Sequence, residues 1–480
     1  MKLKKILLAA VAALTVLISV VAYAGCSVTS NGPTDVTEGE LKRDENGDII
    51  FKDIELKLST VAAGTDRGGL QTIIARFNNE YDGKIRIITS YDGSDKFEEN
   101  IGQRIKYNNN APDIIMSHNK SHKSFMDVGY IRALDPVMEA TGITISKTDY
   151  ADGLANYSSL GTDKMYNVPI DAQSYVVYYN KQELAKIGKA VPTNRAELLE
   201  VCAEYKTKTG KLPISWESDH NFWYNYLFNT ALIQNGAELY NTSSYKAEWT
   251  SEKNLPAFKA AIKSVRDLYA SGYAQNGLSE SDSKSKFINN ECLFYVACPW
   301  DINDLTKAYA QGAGNTEGKS IAEVKSDIIG ASSISRWFAL DDGKAYASKI
   351  YGESHAFAMT SVVTNIEKQA AVLEFIKYFT QNGEAGAIWG AAGHISASKI
   401  ISASDAYKNN SDVSNFIAKF YPTSIDDFEC IGITPYYDSL TTNLKSLANA
   451  VFKADSDSDD NAIISEYMKK FNDVVDFAEM

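Results

Sequence analysis

Three short loops carry polar side chains able to bind or act on a small molecule: Thr65-Asp66-Arg67, Tyr91-Asp92-Gly93 and Ser117-His118-Asn119. They combine carboxylate, guanidinium, imidazole and amide groups that donate and accept hydrogen bonds. A fourth polar stretch interrupts two apolar runs at 164–181 (KMYNVPIDAQSYVVYYNK), where Asp171 or Gln173 is placed to look into a cleft. Aromatic side chains concentrate at 216–228, which includes Trp216, Trp223, Tyr224, Tyr226 and Phe228, and at Pro299-Trp300-Asp301. Asp66 and Asp92 could be imagined as a hydrolytic carboxylate pair, but nothing marks either as an acid of raised pKa. No Gly-x-Ser-x-Gly, His-Glu-x-x-His or phosphate loop occurs. His118 and His122 are four apart, which would put two imidazoles on one helical face, yet no third ligand accompanies them. Asp44-Glu45-Asn46-Gly47-Asp48 faintly imitates a calcium loop, but its sixth position is Ile49 where Gly is needed, so an Asn-Gly turn is expected. The acidic run 455–460 has neither a Gly-containing loop nor a closing Glu and reads as a solvated turn. No metal site and no cofactor is expected.

The elements that must position these groups follow from pattern. At 480 residues with 44% hydrophobic side chains, the chain can bury the cores of about two to three domains. Its start differs: Lys2, Lys4 and Lys5 precede a largely apolar run at 6–18 and then small residues, a secretory signal over 1–25. Ala24-Gly25-Cys26 resembles a bacterial lipobox with Tyr23 in place of the usual Leu, so Cys26 is expected to be acylated as a two-chain membrane anchor. Residues 26–49, rich in Ser, Thr, Asn, Gly and charge, then form a flexible tether. Without 1–25 the chain keeps 45 basic and 61 acidic side chains, a net charge of −16 that argues against nucleic acid as a partner. Cys292 and Cys298 share one apolar strand-like run, where buried free thiols are expected, although a disulfide between them stays open.

From residue 50 strands and helices alternate. Ile54, Leu56 and Leu58 alternate as a strand, and Leu70, Ile73, Ile74, Phe77 and Tyr81 share a helical face. A second strand spans 85–88, Ser94 can cap a helix carrying Phe97, Ile101 and Ile105, and a third strand opens at Pro112. This is βαβαβ, a mostly parallel sheet whose ligand loops lie beyond the C-terminal strand ends, where the three polar loops fall. After 164–181, helices are expected at 180–188, at 193–206 with Thr193 as cap, and at 256–269. A strand at 292–297 runs into Pro299-Trp300-Asp301, with Asp301 able to cap a helix at 302–309. Strands at 327–330 and 356–359 and helices at 367–380, 384–389, 435–452 and 461–477 complete the pattern.

Several motifs then line up in one order. These are Gly93-Ser94-Asp95-Lys96-Phe97; Pro112-Asp113-Ile114; Phe125, Gly129 and Leu134-Asp135-Pro136; Val168-Pro169-Ile170 with Tyr179-Asn180-Lys181; Phe287 with Cys298-Pro299-Trp300-Asp301; and His355-Ala356-Phe357-Ala358-Met359 with Trp389. In this order and spacing the chain resembles the extracellular solute-binding proteins of ABC importers, most closely the sugar-binding family that includes the maltose-binding protein. The resemblance covers about residues 50–395.

It implies an α/β fold of two lobes, each a mostly parallel sheet flanked by helices, hinged by crossovers that close on a ligand. The lobes would be 50–171 with 353–393, and 172–352 with 394–480. It implies a non-enzymatic, monomeric lipoprotein outside the cytoplasm that hands a carbohydrate, expected to be an oligosaccharide, to ABC permease subunits. A polyamine or another non-sugar solute, or a surface glycoside hydrolase, is the alternative. Sugar recognition needs flat aromatic platforms against C–H faces and planar groups for hydroxyls. The polar set would be Asp66, Arg67, Asp92 and His118 from the first lobe, and the aromatic set Trp223, Tyr224 and Trp300 from the second. Trp300 matches the family's stacking Trp, and Asp301 adjoins it. Gln173 falls where the family carries an acidic ligand contact, six positions before the Tyr of Tyr-Asn-Lys, and is preferred to Asp171 on that spacing alone.

Overall fold

The computed structural model describes residues 38–92, 96–218, 223–420, 427–429, 433–453 and 459–479. The signal segment, Cys26, Ser94, Cys430 and 455–458 lie outside them, as do the side chains of Trp223 and Tyr224. No described helix is long and apolar enough to cross a membrane.

The first unit opens as βαβαβ: β1 (Ile54–Thr60), α1 (Gly64–Glu80), β2 (Ile85–Tyr91), α2 (Phe97–Lys106) and β3 (Ile114–His118). In β1 the buried Ile54, Leu56 and Leu58 alternate with exposed Glu55 and Lys57, as a strand with one face against a helix layer requires. Leu70, Ile73, Ile74 and Phe77 bury the matching stripe of α1. β1 pairs in parallel with both β2 and β3, so their C-terminal ends and the polar loops beyond them share one edge. β4 (Val168–Pro169) precedes two short crossing elements, β5 (Asp171–Ala172) and the start of β6 (Val176–Asn180).

The second unit is built around β6. With β7 (Leu212–Trp216), β8 (Cys292–Ala297) and β9 (Ile329–Ser332) it forms a sheet in the order β7-β8-β6-β9. Only β7 and β8 are parallel; β6 arrives from the first unit and runs antiparallel to both neighbours. Val177, Phe294, Val296, Ile214 and Trp216 cover one face beneath α3 (Arg195–Thr209), α4 (Leu255–Ala270), α5 (Tyr437–Lys453) and α6 (Asp460–Glu479). The helix expected at 193–206 is capped by Asn194, which accepts from Glu197 N–H at 3.0 Å. Thr193 is not its cap, because its hydroxyl instead donates to the Glu197 carboxylate. The strand expected at 327–330 begins only at Ile329, since 324–328 is helical.

The chain returns through Ile350–Tyr351 (β10) to β11 (His355–Met359), which enters the first sheet antiparallel between β3 and β4. Helices α7 (Ile366–Gln381) and α8 (Gly383–Ala391) then cover that sheet, and β12 (Ile395–Ser396) pairs with β5. The short helices Lys399–Ala403, Asp405–Lys408 and Ser411–Asn415, expected with the second lobe, pack instead on α8. The reason is steric: Ile401 fits over Gly386, and Val413 and Tyr407 fit over Gly390, places where a Cβ would lie 2.2 and 2.7 Å from its neighbour. Phe420 then reaches the second unit, meeting Tyr178 edge-on at 5.9 Å.

A strap before β1 binds the first unit. Glu38 N–H donates to Thr364 O (2.8 Å) and Glu38 O accepts from Ile366 N–H (2.9 Å), while Arg43 Nη2 donates to Thr141 O at 2.6 Å. The Asp44–Asp48 stretch is a turn whose Asp44 Oδ1 accepts from the backbone N–H groups of Asn46 and Asp48.

Candidate binding site

Three chain segments meet where the units join: 171–173, 353–355 and 394–396. Gln173 and Glu353 exchange backbone hydrogen bonds of 2.7 and 2.8 Å, and β5 pairs with β12. Asp171, fully buried, stands at their centre. Its Oδ1 accepts from His355 N–H at 2.8 Å; its Oδ2 accepts from Trp389 Nε1–H at 2.9 Å and lies 2.9 Å from His355 Nδ1 and 3.0 Å from His394 Nδ1. Burial opposes the charge, but His355 and His394 hold the carboxyl well below the usual carboxylate range. His394 is stacked on Trp389 at 4.1 Å and 11°, with Nε2 2.9 Å from Asp66 Oδ1. Its own burial disfavours the imidazolium, yet Asp171 and Asp66 push it up to about 9.

Trp300 of the second unit borders this cluster, its ring 6.3 Å from His394 and inclined by 23°. The approach depends on Gly393, at φ +105°, where a Cβ would lie 2.4 Å from Trp300 Cα. Tyr178 OH lies 2.9 Å from both Cys298 O and Pro299 O and so fixes the loop that presents Trp300. Asp301 follows; its side chain accepts no cap bond from the next helix (Ile302–Gln311), and burial pushes its carboxyl up to about 6.

His118, the last residue of β3, faces His355 across the β3–β11 pair with ring centroids 4.9 Å apart. Burial, then His355 and Lys120, hold its pKa well below the usual value. His122 does not join it: its Nε2 lies 3.0 Å from Ser117 Oγ, and burial pushes it down to about 3. Gln173 was expected to look into the cleft but is only 2% exposed, because the reciprocal bonds to Glu353 draw it under the crossing. Its Nε2 lies 2.6 Å from His355 Nδ1. Glu353 in turn accepts from the Tyr437 and Tyr351 hydroxyls, and Lys120 Nζ lies 4.0 Å from it and 5.3 Å from the Tyr437 ring centre.

Of the expected residues, Asp66, His118, Gln173 and Trp300 thus gather around the crossing. Arg67 lies over the Tyr91 ring at 4.3 Å, and Asp92 accepts from Asn100 Nδ2 at 2.9 Å, both in the expected loops. Sequence reasoning weighed Asp171 but preferred Gln173, and it read His355, Trp389 and His394 as family-like positions and not as site residues. One signal was available: the chain has five histidines, and three of them, His118, His355 and His394, converge here. The described Cys202, Cys292 and Cys298 are free and buried, and burial pushes the thiols up, which fits the expectation of inert thiols. The site offers donors, acceptors and one partly exposed aromatic plate, an arrangement suited to holding a polar solute.

Comparison with known proteins places this geometry. The curated relatives include the sn-glycerol-3-phosphate-binding periplasmic protein UgpB of Rhizobium meliloti, 23% identical over 267 residues, or 53% of this chain and 60% of the relative. The Brucella abortus protein of the same name is 24% identical over 243 residues, 48% of this chain and 54% of the relative. The chain therefore spans only about half to three-fifths of those relatives' length. Among solved structures, the sugar-binding protein MalE of Xanthomonas citri aligns with a TM-score of 0.71 at 15% identity, covering 88% of this chain and 98% of that one. UgpB of Mycobacterium tuberculosis, in complex with glycerophosphocholine, aligns at 0.63 and 16%, covering 89% and 99%. These likenesses show the two-lobed fold of periplasmic binding proteins. The family model described as bacterial extracellular solute-binding protein matches residues 72–415, and the chain belongs to that family.

Proposed function

We propose that this protein captures a carbohydrate, an oligosaccharide, between its two units and delivers it to an ABC import permease, without chemical turnover. The observation that supports this most is the meeting of Trp300 from one unit with Asp66, His118 and His394 from the other. An aromatic plate beside carboxylate and imidazole groups can stack a sugar face and bind its hydroxyls. The solved sugar-binding neighbours add to this reading. In it Asp66, His118, Trp300 and Asp301 contact the solute directly, with Arg67 and Asp92 at the rim and Gln173 bracing His355; Trp223 and Tyr224 remain proposed solute contacts from the sequence. The segments at the crossing are the hinge. The first lobe comprises 50–171 with the segment from 353 through the helices packed on α8, and the second comprises 172–352 with the C-terminal helices. Residues 1–25 direct export, and acylated Cys26 holds the monomer at the outer face of the cell membrane.

A second reading, a glycerol phosphate ester as solute, is favoured by the names of the curated relatives. Calorimetric titration with maltotriose, a panel of mono- and oligosaccharides, sn-glycerol 3-phosphate and glycerophosphocholine separates the two. Saccharide binding that weakens in Trp300→Ala supports the first. Binding of phosphate esters alone, or hydrolysis of a bound saccharide, overturns it.

A further inference from the structure

Asp171, His355 and His394 are all buried, and their potential ligand atoms lie within 4.8 Å of one another. We infer that these three side chains form a site for one first-row divalent transition-metal ion, with zinc as its probe, which staples the three segments at the crossing. The inference stands apart from the saccharide reading and departs from the sequence expectation of no metal.

Four observations carry it. The first is the donor set, two imidazoles and one carboxylate, which suits zinc, copper or nickel and not the oxygen-seeking calcium or magnesium. The second is spacing. Ligand atoms about 2.0–2.2 Å from one ion and roughly at right angles or wider are separated by about 3.0–3.4 Å. Asp171 Oδ2 lies 2.9 Å from His355 Nδ1 and 3.0 Å from His394 Nδ1, close to the separations that ligands of one ion show. The third is His394 itself. It is 1% exposed, with Nδ1 3.0 Å from Asp171 Oδ2 and Nε2 2.9 Å from Asp66 Oδ1, so in its neutral form Nε2–H can donate to Asp66 while Nδ1 offers its lone pair toward Asp171 and an ion beside it.

The fourth is the layer behind the ligands. Metal-bound histidines characteristically present their second nitrogen to a carboxylate, carbonyl or amide. With Nδ1 on the metal, His394 directs Nε2–H to Asp66 Oδ1 at 2.9 Å, whereas the Gln173 amide nitrogen lies 2.6 Å from His355 Nδ1 and must turn its oxygen toward the ring to accept from Nε2–H. The Asp171 carboxylate is oriented by His355 N–H and Trp389 Nε1–H. His394 and Asp171 thus already have supporting partners. Because Asp171, His355 and His394 come from separate passages of the chain, an ion here ties β5, β11 and the residue before β12 together.

The test uses the chelator-treated, dialysed protein titrated with zinc chloride by calorimetry, with bound metal counted by native mass spectrometry. One zinc per chain is expected, bound below about 10 µM. His394→Gln and His355→Gln should each bind zinc at least 100-fold more weakly, and Asp66→Asn, which leaves all three ligands in place, about tenfold more weakly. No binding by the parent protein, or equal binding by the histidine variants, overturns the inference. Where a variant fails to fold by circular dichroism, the visible spectrum of cobalt(II) added to the parent protein decides. Intense ligand-field bands of low coordination support the site, and a spectrum unchanged from aqueous cobalt rejects it.

Discussion

Replacing Asp301 by Asn should stabilise the protein, and the gain should depend on pH in a defined direction. Burial raises the Asp301 carboxyl from 3.8 to about 6. An acid whose folded pKa is raised binds protons more tightly folded than unfolded. The stability it contributes is therefore complete below about pH 3.8 and is lost as pH rises to about 6. Two pKa units correspond to about 3 kcal/mol, and because the side chain is only partly shielded from solvent the realised cost at pH 7.5 is about 1–3 kcal/mol. Asn keeps the shape without the charge and removes that cost. For a chain of this size the melting temperature should rise by roughly 2–4 °C at pH 7.5, and at pH 4 the difference should shrink to about a fifth. Scanning calorimetry of both proteins at the two pH values measures this. Equal or lower stability of Asp301→Asn at pH 7.5, or a gap that does not narrow at pH 4, refutes the reasoning. A loss of solute binding in the same variant would add that the carboxylate contacts the ligand.

Trp300→Ala should leave the fold intact and weaken saccharide binding by about 2 kcal/mol, roughly 30-fold, in calorimetric titration. Gly393→Ala meets both a left-handed backbone and a Cβ 2.4 Å from Trp300 Cα, so it should cost about 1–3 kcal/mol in denaturant unfolding and change Trp fluorescence. His122, held neutral by burial with its pKa down at about 3, is protonated first in the unfolded chain. Its contribution is present above about pH 6.5 and declines as pH falls toward 3, so His122→Phe should flatten the fall in melting temperature between pH 6.5 and 4.

The first sheet was legible because its signals are local. Alternation in 54–58, the helical stripe from Leu70 to Phe77 and the turn residues between them determine β1, α1 and their loops without reference to distant segments. The strand at Cys292–Ala297 was read to its ends for the same reason. The cluster at the crossing was not, since Asp171, His355 and His394 are brought together by pairings across more than 180 residues that no periodicity encodes. The choice between Asp171 and Gln173 was misframed for a related reason: two residues apart in extended chain they share a face, and both reach His355. The helices at 399–415 were assigned to the wrong unit because their partners are glycines, whose lack of a side chain is what admits Ile401 and Val413 and leaves no apolar pattern to read.

The strap at Glu38 and Arg43 fastens the N-terminal end of the described chain to the first unit, beside Ile366 and Thr141. Eleven residues lie between Cys26 and Glu38, a leash of at most about 40 Å. With the proposed anchor in place, the first unit would be the stator moored near the lipid surface, and any hinge motion would fall to the second unit as rotor.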